Sequence, residues 1–165
     1  MQMIDRVGDV LRGGGGRRLA LMLALNINHP DVNEFINVKL NREELTNANV
    51  SIVLPTGYGA DDLIRDVKEG NEIAPMHRGV PTGGLGIDAA ELWETIVDNA
   101  WTSGEPGVLN GALANEQSNI FYHKPLVCTN PCGEIWLEEY GSCCLGALVL
   151  SRFVNESGDT DWDAL

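Results

Sequence analysis

Two continuous apolar runs constrain the fold of this chain more than any other feature of its sequence. The first, LALMLALNI at residues 19–27, has the length of a strand and follows a run of glycines. The second covers residues 50–54 and is stopped by Pro55. Runs without polar alternation are typical of strands in parallel sheets, so we expect the first strand to be buried on both faces.

Helical patterns flank both runs. Apolar residues recur at helical spacing over residues 1–12, and the glycine run follows them. Residues 28–31 combine an early proline with an acidic first turn, which predicts a helix start. The apolar residues of that helix that we expect to face inward are Val32, Phe35 and Ile36. A short helix is also predicted over residues 60–68, closed by Gly70.

The second half of the chain continues this alternation. Residues 70–87 are rich in Gly and Pro and predict a loop. Asp88, with Glu91 three residues later, predicts a helix start, and this helix ends near Gly104. Its side chains that we place in the core are Leu92, Trp93, Ile96 and Trp101. Short strands are predicted at residues 107–109, 126–129 and 145–150.

Strands that alternate with helices predict a largely parallel α/β fold. The predicted strands number about five, which is too few for a closed α/β barrel of eight or more strands. The last residues begin a further helix with no closing element behind it. We therefore expect residues 1–165 to form one incomplete piece of a larger catalytic domain, with no second domain.

The charge balance excludes one class of partner. The chain has 11 basic and 24 acidic residues and a formal net charge of −13. A chain this acidic repels phosphate backbones, so we expect no polynucleotide partner. Its longest apolar run is well short of the ~20 residues that cross a bilayer, and its first residues lead into no apolar signal segment. These features predict a cytoplasmic protein without a membrane partner.

All four cysteines lie in one short part of the chain: Cys128, Cys132, Cys143 and Cys144. A disulfide scaffold spreads its cysteines along a small secreted chain, which differs from this pattern. A zinc site favours Cys-x-x-Cys pairs, whereas adjacent cysteines point to opposite sides of a strand. We therefore expect reactive thiols and no metal site.

The densest group of reactive side chains is Asn130-Pro131-Cys132-Gly133-Glu134. If this loop is extended, the amide of Asn130, the thiol of Cys132 and the carboxylate of Glu134 project to the same side. A carboxylate near a thiol and an amide can form an acid/base site. A buried, unreactive cysteine in a polar turn explains the same residues, and the spacing alone leaves both interpretations open. A strand over residues 145–150 would place one of the later cysteines beside this loop as a redox partner.

The glycine run also has two interpretations. Gly13 to Gly16, followed by Arg17-Arg18, has the flexibility and the positive charge to hold a phosphate. It lacks both the Walker lysine and the Gly-x-Gly-x-x-Gly pattern, so a flexible connection between helix and strand is equally consistent with it.

These motifs together resemble a known family. Residues 130–134, followed by Tyr140 and by Cys143-x-Leu145-Gly146, are similar to the active-site segment of ribonucleotide reductases. The Pro and Gly beside Cys132 are most similar to the adenosylcobalamin-dependent (class II) enzymes. Further blocks resemble the family in the same order, at residues 17–31, 47–51 and 91–107.

The resemblance implies a fold and four catalytic roles. The fold would be part of a ten-stranded α/β barrel. Cys132 would carry a thiyl radical that takes the 3′ hydrogen of a ribonucleotide, Glu134 would act as general base on the 3′ hydroxyl, and Asn130 would hold the substrate hydroxyls. Cys143 would be one of two reducing thiols, the other lying upstream of this chain.

The resemblance also implies ligands and partners. The loop of Gly15, Gly16, Arg17 and Arg18 would relay a bound dNTP or ATP effector to the substrate base. Adenosylcobalamin would be the cofactor, a thioredoxin-like protein the reductant, and the complete enzyme a homodimer. The alternatives are the large subunit of a class I (metal-radical) reductase, a catalytically silent piece of an assembly, and a simple thiol oxidoreductase. The last is disfavoured because no Cys-x-x-Cys occurs.

Overall fold

The computed structural model describes residues 1–12, 19–41 and 45–165. The helices of these ranges are α1 (Gln2–Arg12), α2 (Val32–Asn37), α3 (Ala60–Glu69), α4 (Ala89–Ser103) and α5 (Gly111–Glu116). The strands are β1 (Leu21–Asn26), β2 (Ala48–Leu54), β3 (Glu72–Ile73), β4 (Met76–His77), β5 (Val80–Pro81), β6 (Ile87–Asp88), β7 (Gly107–Asn110), β8 (Leu126–Thr129) and β9 (Trp136–Glu138). Two 3-10 helices cover Val38–Leu40 and Leu150–Phe153.

A three-stranded parallel sheet in the order β1-β2-β7 is the centre of the fold. The register of β1 and β2 pairs Leu23 with Val50 and Ala24 with Ser51. On the other side of β2, Ser51 pairs with Gly107 of β7. The parallel α/β prediction is therefore confirmed for this sheet. The remaining strands form three antiparallel pairs, β3-β6, β4-β5 and β8-β9, so the sheets of the described ranges are mixed. They do not close into a barrel within those ranges.

One face of this sheet is covered by helices. Alternate residues of β2 point to that face and belong to the hydrophobic core: Ala48, Val50, Ile52 and Leu54. Helices α2, α3 and α4 supply the opposing apolar side chains: Val32, Phe35, Ile36, Leu63, Leu92 and Ile96. The inward-facing residues predicted for α2 are confirmed, because each is buried.

Local signals for the ends of helices are confirmed. The Asp88 carboxylate accepts a hydrogen bond from the backbone N–H of Glu91 at 2.9 Å and so caps α4. Gly70 and Gly104 close α3 and α4 in the left-handed conformation, with φ of 69° and 85°. Each helix ends where the glycine predicts it.

Asp66 of α3 forms hydrogen bonds with the residues that precede and follow this helix in the chain. The side chain of Asn71 and the hydroxyl of Tyr58 donate hydrogen bonds to its two carboxylate oxygens, at 3.1 and 2.8 Å. These bonds, that of Asn71 first, hold the pKa of the Asp66 carboxyl below its usual value. Burial, and then the bond to Asp66, raises the pKa of Tyr58.

Three predictions about burial and strands are wrong. Strand β1 is half-buried and not buried on both faces, because it lies at the edge of the parallel sheet. Residues 70–87 contain the short strands β3 to β5 and the start of β6, where a loop was expected. Residues 145–149 form no strand and are exposed, since no neighbouring strand in the described ranges pairs with their backbone.

The prediction that the tryptophans of α4 lie in the core is also wrong. Trp101 is 91% exposed and Trp93 is 36% exposed. Helix α4 turns Leu92, Ile96 and Asn99 inward, and this phase leaves the two tryptophans on its outer side. None of the helices in the described ranges is long and apolar enough to span a membrane.

Candidate active site

The second face of the parallel sheet is covered by the β8-β9 hairpin. Alternation along β2 turns Asn49, Ser51 and Val53 to this face, opposite the helix-covered core. The ring of Trp136 in β9 lies close to Gly111, where α5 begins just beyond the end of β7. The hairpin therefore packs across the sheet, and its turn carries the reactive residues.

The turn at the tip of the hairpin differs from the extended loop expected from alternation. The N–H of Gly133 donates to the carbonyl of Asn130 at 3.0 Å, which closes a β-turn with Pro131 at its second position. Gly133 has φ of 84°, a conformation that favours glycine. Cys132 and Glu134 are both exposed on this turn. The loop is therefore not extended, so the alternation that would place the three side chains on one side does not apply, although the residues stay together.

Asn130 stabilises the turn with its own side chain. Its Oδ1 accepts a hydrogen bond from the N–H of Ile135 at 3.1 Å, and its backbone N–H donates to the carbonyl of Ile135 at 3.1 Å. Its Nδ2 donates no hydrogen bond that is found in the described parts of the chain. The amide group of Asn130 therefore fixes the turn through its oxygen and leaves its nitrogen to donate elsewhere.

Two asparagines outside the hairpin attach it to the rest of the fold. The Nδ2 of Asn49, on β2, donates to the carbonyl of Pro131 at 2.8 Å. At the other end, Asn115 of α5 binds the backbone of Leu126 twice, accepting from its N–H at 2.8 Å and donating to its carbonyl at 3.0 Å. Sequence reasoning missed both roles, although residues 47–51 were among the blocks that resemble the family.

The four thiols have different surroundings. All of them are free: Cys128 and Cys143 are half-buried, and Cys132 and Cys144 are exposed. Burial raises the pKa of the Cys128 thiol, and the N–H of Thr129, which hydrogen-bonds to its sulfur, opposes this effect. A cavity of about 590 Å³ lies along the edge strand β1, bordered on one side by Phe35 of α2 and on the other by Val53 and Cys128.

The structure brings together three of the four predicted catalytic residues: Asn130, Cys132 and Glu134 lie on one turn. Cys143 follows β9 in an irregular segment, and no hydrogen bond found in the described ranges joins it to the turn. The strand that would have placed it beside Cys132 is absent there. The predicted effector loop, Gly15, Gly16, Arg17 and Arg18, lies outside the described residues.

The described residues contain no group of three or more His, Cys, Asp or Glu side chains that could hold a metal ion. The two histidines nearest each other, His29 and His77, bind one another instead, Nε2 to Nδ1 at 3.1 Å. The N–H of Asp31 donates to the other ring nitrogen of His29 at 3.1 Å. These contacts link the turn after β1 to β4.

Comparison with known proteins identifies the family. A model of the ribonucleotide reductase barrel domain matches residues 1–82 and 76–165. The chain belongs to this family. Among its relatives is the vitamin B12-dependent ribonucleoside-diphosphate reductase of Thermoplasma acidophilum, 33% identical over 166 residues that cover 100% of this chain and 21% of the relative.

Two further relatives of this reductase segment have similar names. The vitamin B12-dependent ribonucleoside-diphosphate reductase of Mycobacterium tuberculosis is 32% identical over 170 residues, which cover 100% of the chain and 23% of the relative. The putative adenosylcobalamin-dependent ribonucleoside-triphosphate reductase of Mycobacterium phage D29 is 29% identical over 162 residues, 98% of the chain and 21% of the relative. The segment thus spans about a fifth of the length of the curated relatives it matches.

Proposed function

We propose that this chain contributes the radical-carrying turn of an adenosylcobalamin-dependent ribonucleotide reductase, which converts ribonucleotides to 2′-deoxyribonucleotides. The observation that carries the proposal is an exposed thiol, Cys132, on a turn that also holds an exposed carboxylate, Glu134, and an amide with an available donor, Asn130. The names of the relatives support the same reaction. The class I alternative has no such support among those names.

The chemistry follows from these three side chains. A thiyl radical on Cys132 takes the 3′ hydrogen atom of the ribose and becomes a thiol. Glu134 accepts the proton of the 3′ hydroxyl, while one of the reducing thiols protonates the 2′ hydroxyl, which leaves as water. The Nδ2 of Asn130 donates to a ribose hydroxyl and keeps the 3′ hydrogen directed at the sulfur, because radical transfer requires close approach.

Cys143 and a second thiol from outside this chain then supply two electrons to the ribose, and Glu134 returns its proton to the 3′ oxygen. Cys132 finally gives its hydrogen atom back to C3′, which restores the thiyl radical. The pair ends as a disulfide, and a thioredoxin-like protein reduces it by thiol–disulfide exchange. Cys143 is a free, half-buried thiol, which is compatible with this role. We propose that the rest of the barrel brings it to the substrate.

The sequence identifies no binding site for the proposed cofactor, and the exposed thiol of Cys132 is compatible with it. Cys132 is exposed at the hairpin tip, so a group bound beside the turn can reach its hydrogen. Adenosylcobalamin, when bound, supplies the organic radical that starts the reaction. The protein contributes the position of the thiol and the closed turn that keeps it there.

The remaining partners belong to the same proposal. Residues 15–18 would relay a dNTP or ATP effector to the substrate, and the complete enzyme would be a homodimer. We also propose that residues 1–165 are a single piece of a ten-stranded α/β barrel without a second domain. Four free cysteines suit a reducing compartment, the cytoplasm.

Removal of the thiol tests the proposal most directly. In the complete reductase chain that carries these residues, we expect Cys132→Ser to abolish deoxyribonucleotide formation and Glu134→Gln to lower kcat at least a hundredfold. The matched control is Cys144→Ser, another exposed thiol, which should keep most of the activity. Assays run with and without adenosylcobalamin separate this function from the class I alternative. Full activity of Cys132→Ser would contradict the radical role.

A further inference from the structure

Asn49 differs from every other residue of its strand. The other residues of β2, Ala48 and Val50 to Leu54, are all buried, and Asn49 alone is exposed. It points to the sheet face that the hairpin covers, and its amide reaches the carbonyl of Pro131, 82 residues further along the chain, at 2.8 Å. A polar side chain on this central strand therefore makes a specific long-range contact.

The bond acts on the peptide group next to the reactive thiol. The carbonyl of Pro131 belongs to the peptide that continues into Cys132, so its orientation decides where the Cys132 side chain begins. The hydrogen bonds inside the turn, from Gly133 and Ile135 to Asn130, fix the shape of the turn but do not fix its place on the sheet. The Asn49 bond links the turn to the sheet.

The other end of the hairpin is held independently. The two bonds between Asn115 and the backbone of Leu126 attach the start of β8 to α5. Apolar contacts also hold the ribbon near its tip, since Trp136 lies near Gly111 and Leu109 lies near Gly133. The bond from Asn49 adds a directional restraint, which apolar contacts lack, on the peptide next to Cys132.

We infer that Asn49 is a positioning residue for Cys132: its side-chain amide holds the Pro131–Cys132 peptide on the parallel sheet and so sets the approach of the thiol to the substrate. This inference rests on the proposed function. Since a displacement of about 1 Å at a reacting group can lower a rate about a hundredfold, one such bond has a measurable effect.

The first test compares Asn49→Ala with wild type in the complete reductase chain. We expect kcat to fall about tenfold to a hundredfold while KM for the nucleotide changes less than threefold, because Asn49 positions the thiol and does not hold the substrate. The amides of Gly133 and Ile135 should exchange with deuterium about threefold to tenfold faster. The control is Asn37→Ala on the other side of the sheet, which removes two side-chain bonds, from Asn37 to the carbonyl of Asn33 and from Asn99 to Asn37.

The second test uses Asn49→Asp and pH. An ionised carboxylate cannot donate to the carbonyl of Pro131, but a protonated one can, so this variant regains the bond as pH falls through the carboxyl pKa, ordinarily about 4. Protection of Gly133 and Ile135 relative to wild type should therefore recover at low pH in Asn49→Asp and not in Asn49→Ala. A general loss of stability would not follow this profile. If Asn49→Asp does not fold, Asn49→Ala still carries the test.

The outcomes distinguish the positioning role of Asn49 from the proposed function. Unchanged kcat and unchanged protection in Asn49→Ala would overturn the positioning role, as would equal losses in Asn37→Ala. If Cys132→Ser stays active while the Asn49 variants loosen the turn, the proposed function fails and the contact remains structural. A lower kcat and faster amide exchange in Asn49→Ala, together with an inactive Cys132→Ser, would support both the positioning role and the proposed function.

Discussion

The two faces of the parallel sheet are built in different ways. Ile52 and Leu54 of β2 point to a face that α2, α3 and α4 seal with apolar side chains, and these residues are almost completely buried. Asn49 points to the other face, which a two-stranded hairpin crosses and on which Asn49 itself stays exposed. The same strand thus supplies a finished core on one side and a polar, partly open surface on the other.

This difference predicts that the residues that stabilise the fold are separate from those of the proposed chemistry. The helix-covered face buries apolar area, the main stabilising contribution to folding. The hairpin-covered face is held by side-chain hydrogen bonds from Asn49 and Asn115 and keeps Cys132 accessible. We expect substitutions on the first face to change the free energy of unfolding, and those on the second to change the reactivity of the turn.

The largest effect is expected from a cavity in the helix-covered face. Leu92→Ala should lower the free energy of unfolding by about 3 kcal/mol, because Leu92 is 1% exposed and its neighbours cannot fill the space. The matched substitution on the second face is Leu109→Ala, at a half-buried residue that lies near Gly133. It should cost less than about 1.5 kcal/mol, since its side chain is already partly hydrated.

Urea unfolding followed by circular dichroism measures both values. Equal losses for Leu92→Ala and Leu109→Ala would mean that the hairpin seals its face as completely as the helices do, and the contrast between the faces would disappear. A larger loss of free energy of unfolding for Leu109→Ala than for Leu92→Ala would reverse the contrast between the faces.

A smaller effect is expected at Gly111, the first residue of α5, which lies between β2 and the hairpin. A Cβ at Gly111 would lie 3.0 Å from the carbonyl oxygen of Leu54, 3.0 Å from a methyl of Val53 and 3.3 Å from the ring of Trp136. Gly111→Ala should therefore destabilise the fold by about 1–2 kcal/mol, although alanine is the better helix former. The control is Gly146→Ala, where nothing lies within 4 Å of the new Cβ. A neutral Gly111→Ala would mean that the start of α5 moves away from β2 and from the hairpin without cost.

The sequence predicts the helix-covered face well because its signals are local. The apolar runs of β1 and β2 and the cap at Asp88 act through neighbouring residues, and each is present in the structure. The strand predicted over residues 145–150 does not form at residues 145–149, because a strand requires a partner and none in the described ranges is available. The predicted burial of Trp101 is wrong because a hydrophobic residue of a helix lies in the core only if it is on the buried side of that helix.

The candidate site was predictable in part for the same reason. Asn130, Cys132 and Glu134 are contiguous, so their grouping follows from the chain itself, although the turn they form does not. The contact of Asn49 with Pro131 joins residues 82 positions apart, and no periodicity or spacing indicates it. Only the packing of the hairpin on the sheet brings these two residues together.

The smallest effect is a difference between two thiols of the hairpin. Burial raises the pKa of Cys128, so less of it is thiolate at neutral pH, and its sulfur is also less accessible than that of the exposed Cys132. We expect iodoacetamide to label Cys128 several-fold more slowly than Cys132, as measured by mass spectrometry of the two peptides, with exposed Cys144 as reference. A rise in pH should narrow the gap, because it restores thiolate at Cys128. Equal labelling at neutral pH would show that the hairpin does not pack on the sheet in solution, and the second face would then be open along its whole length.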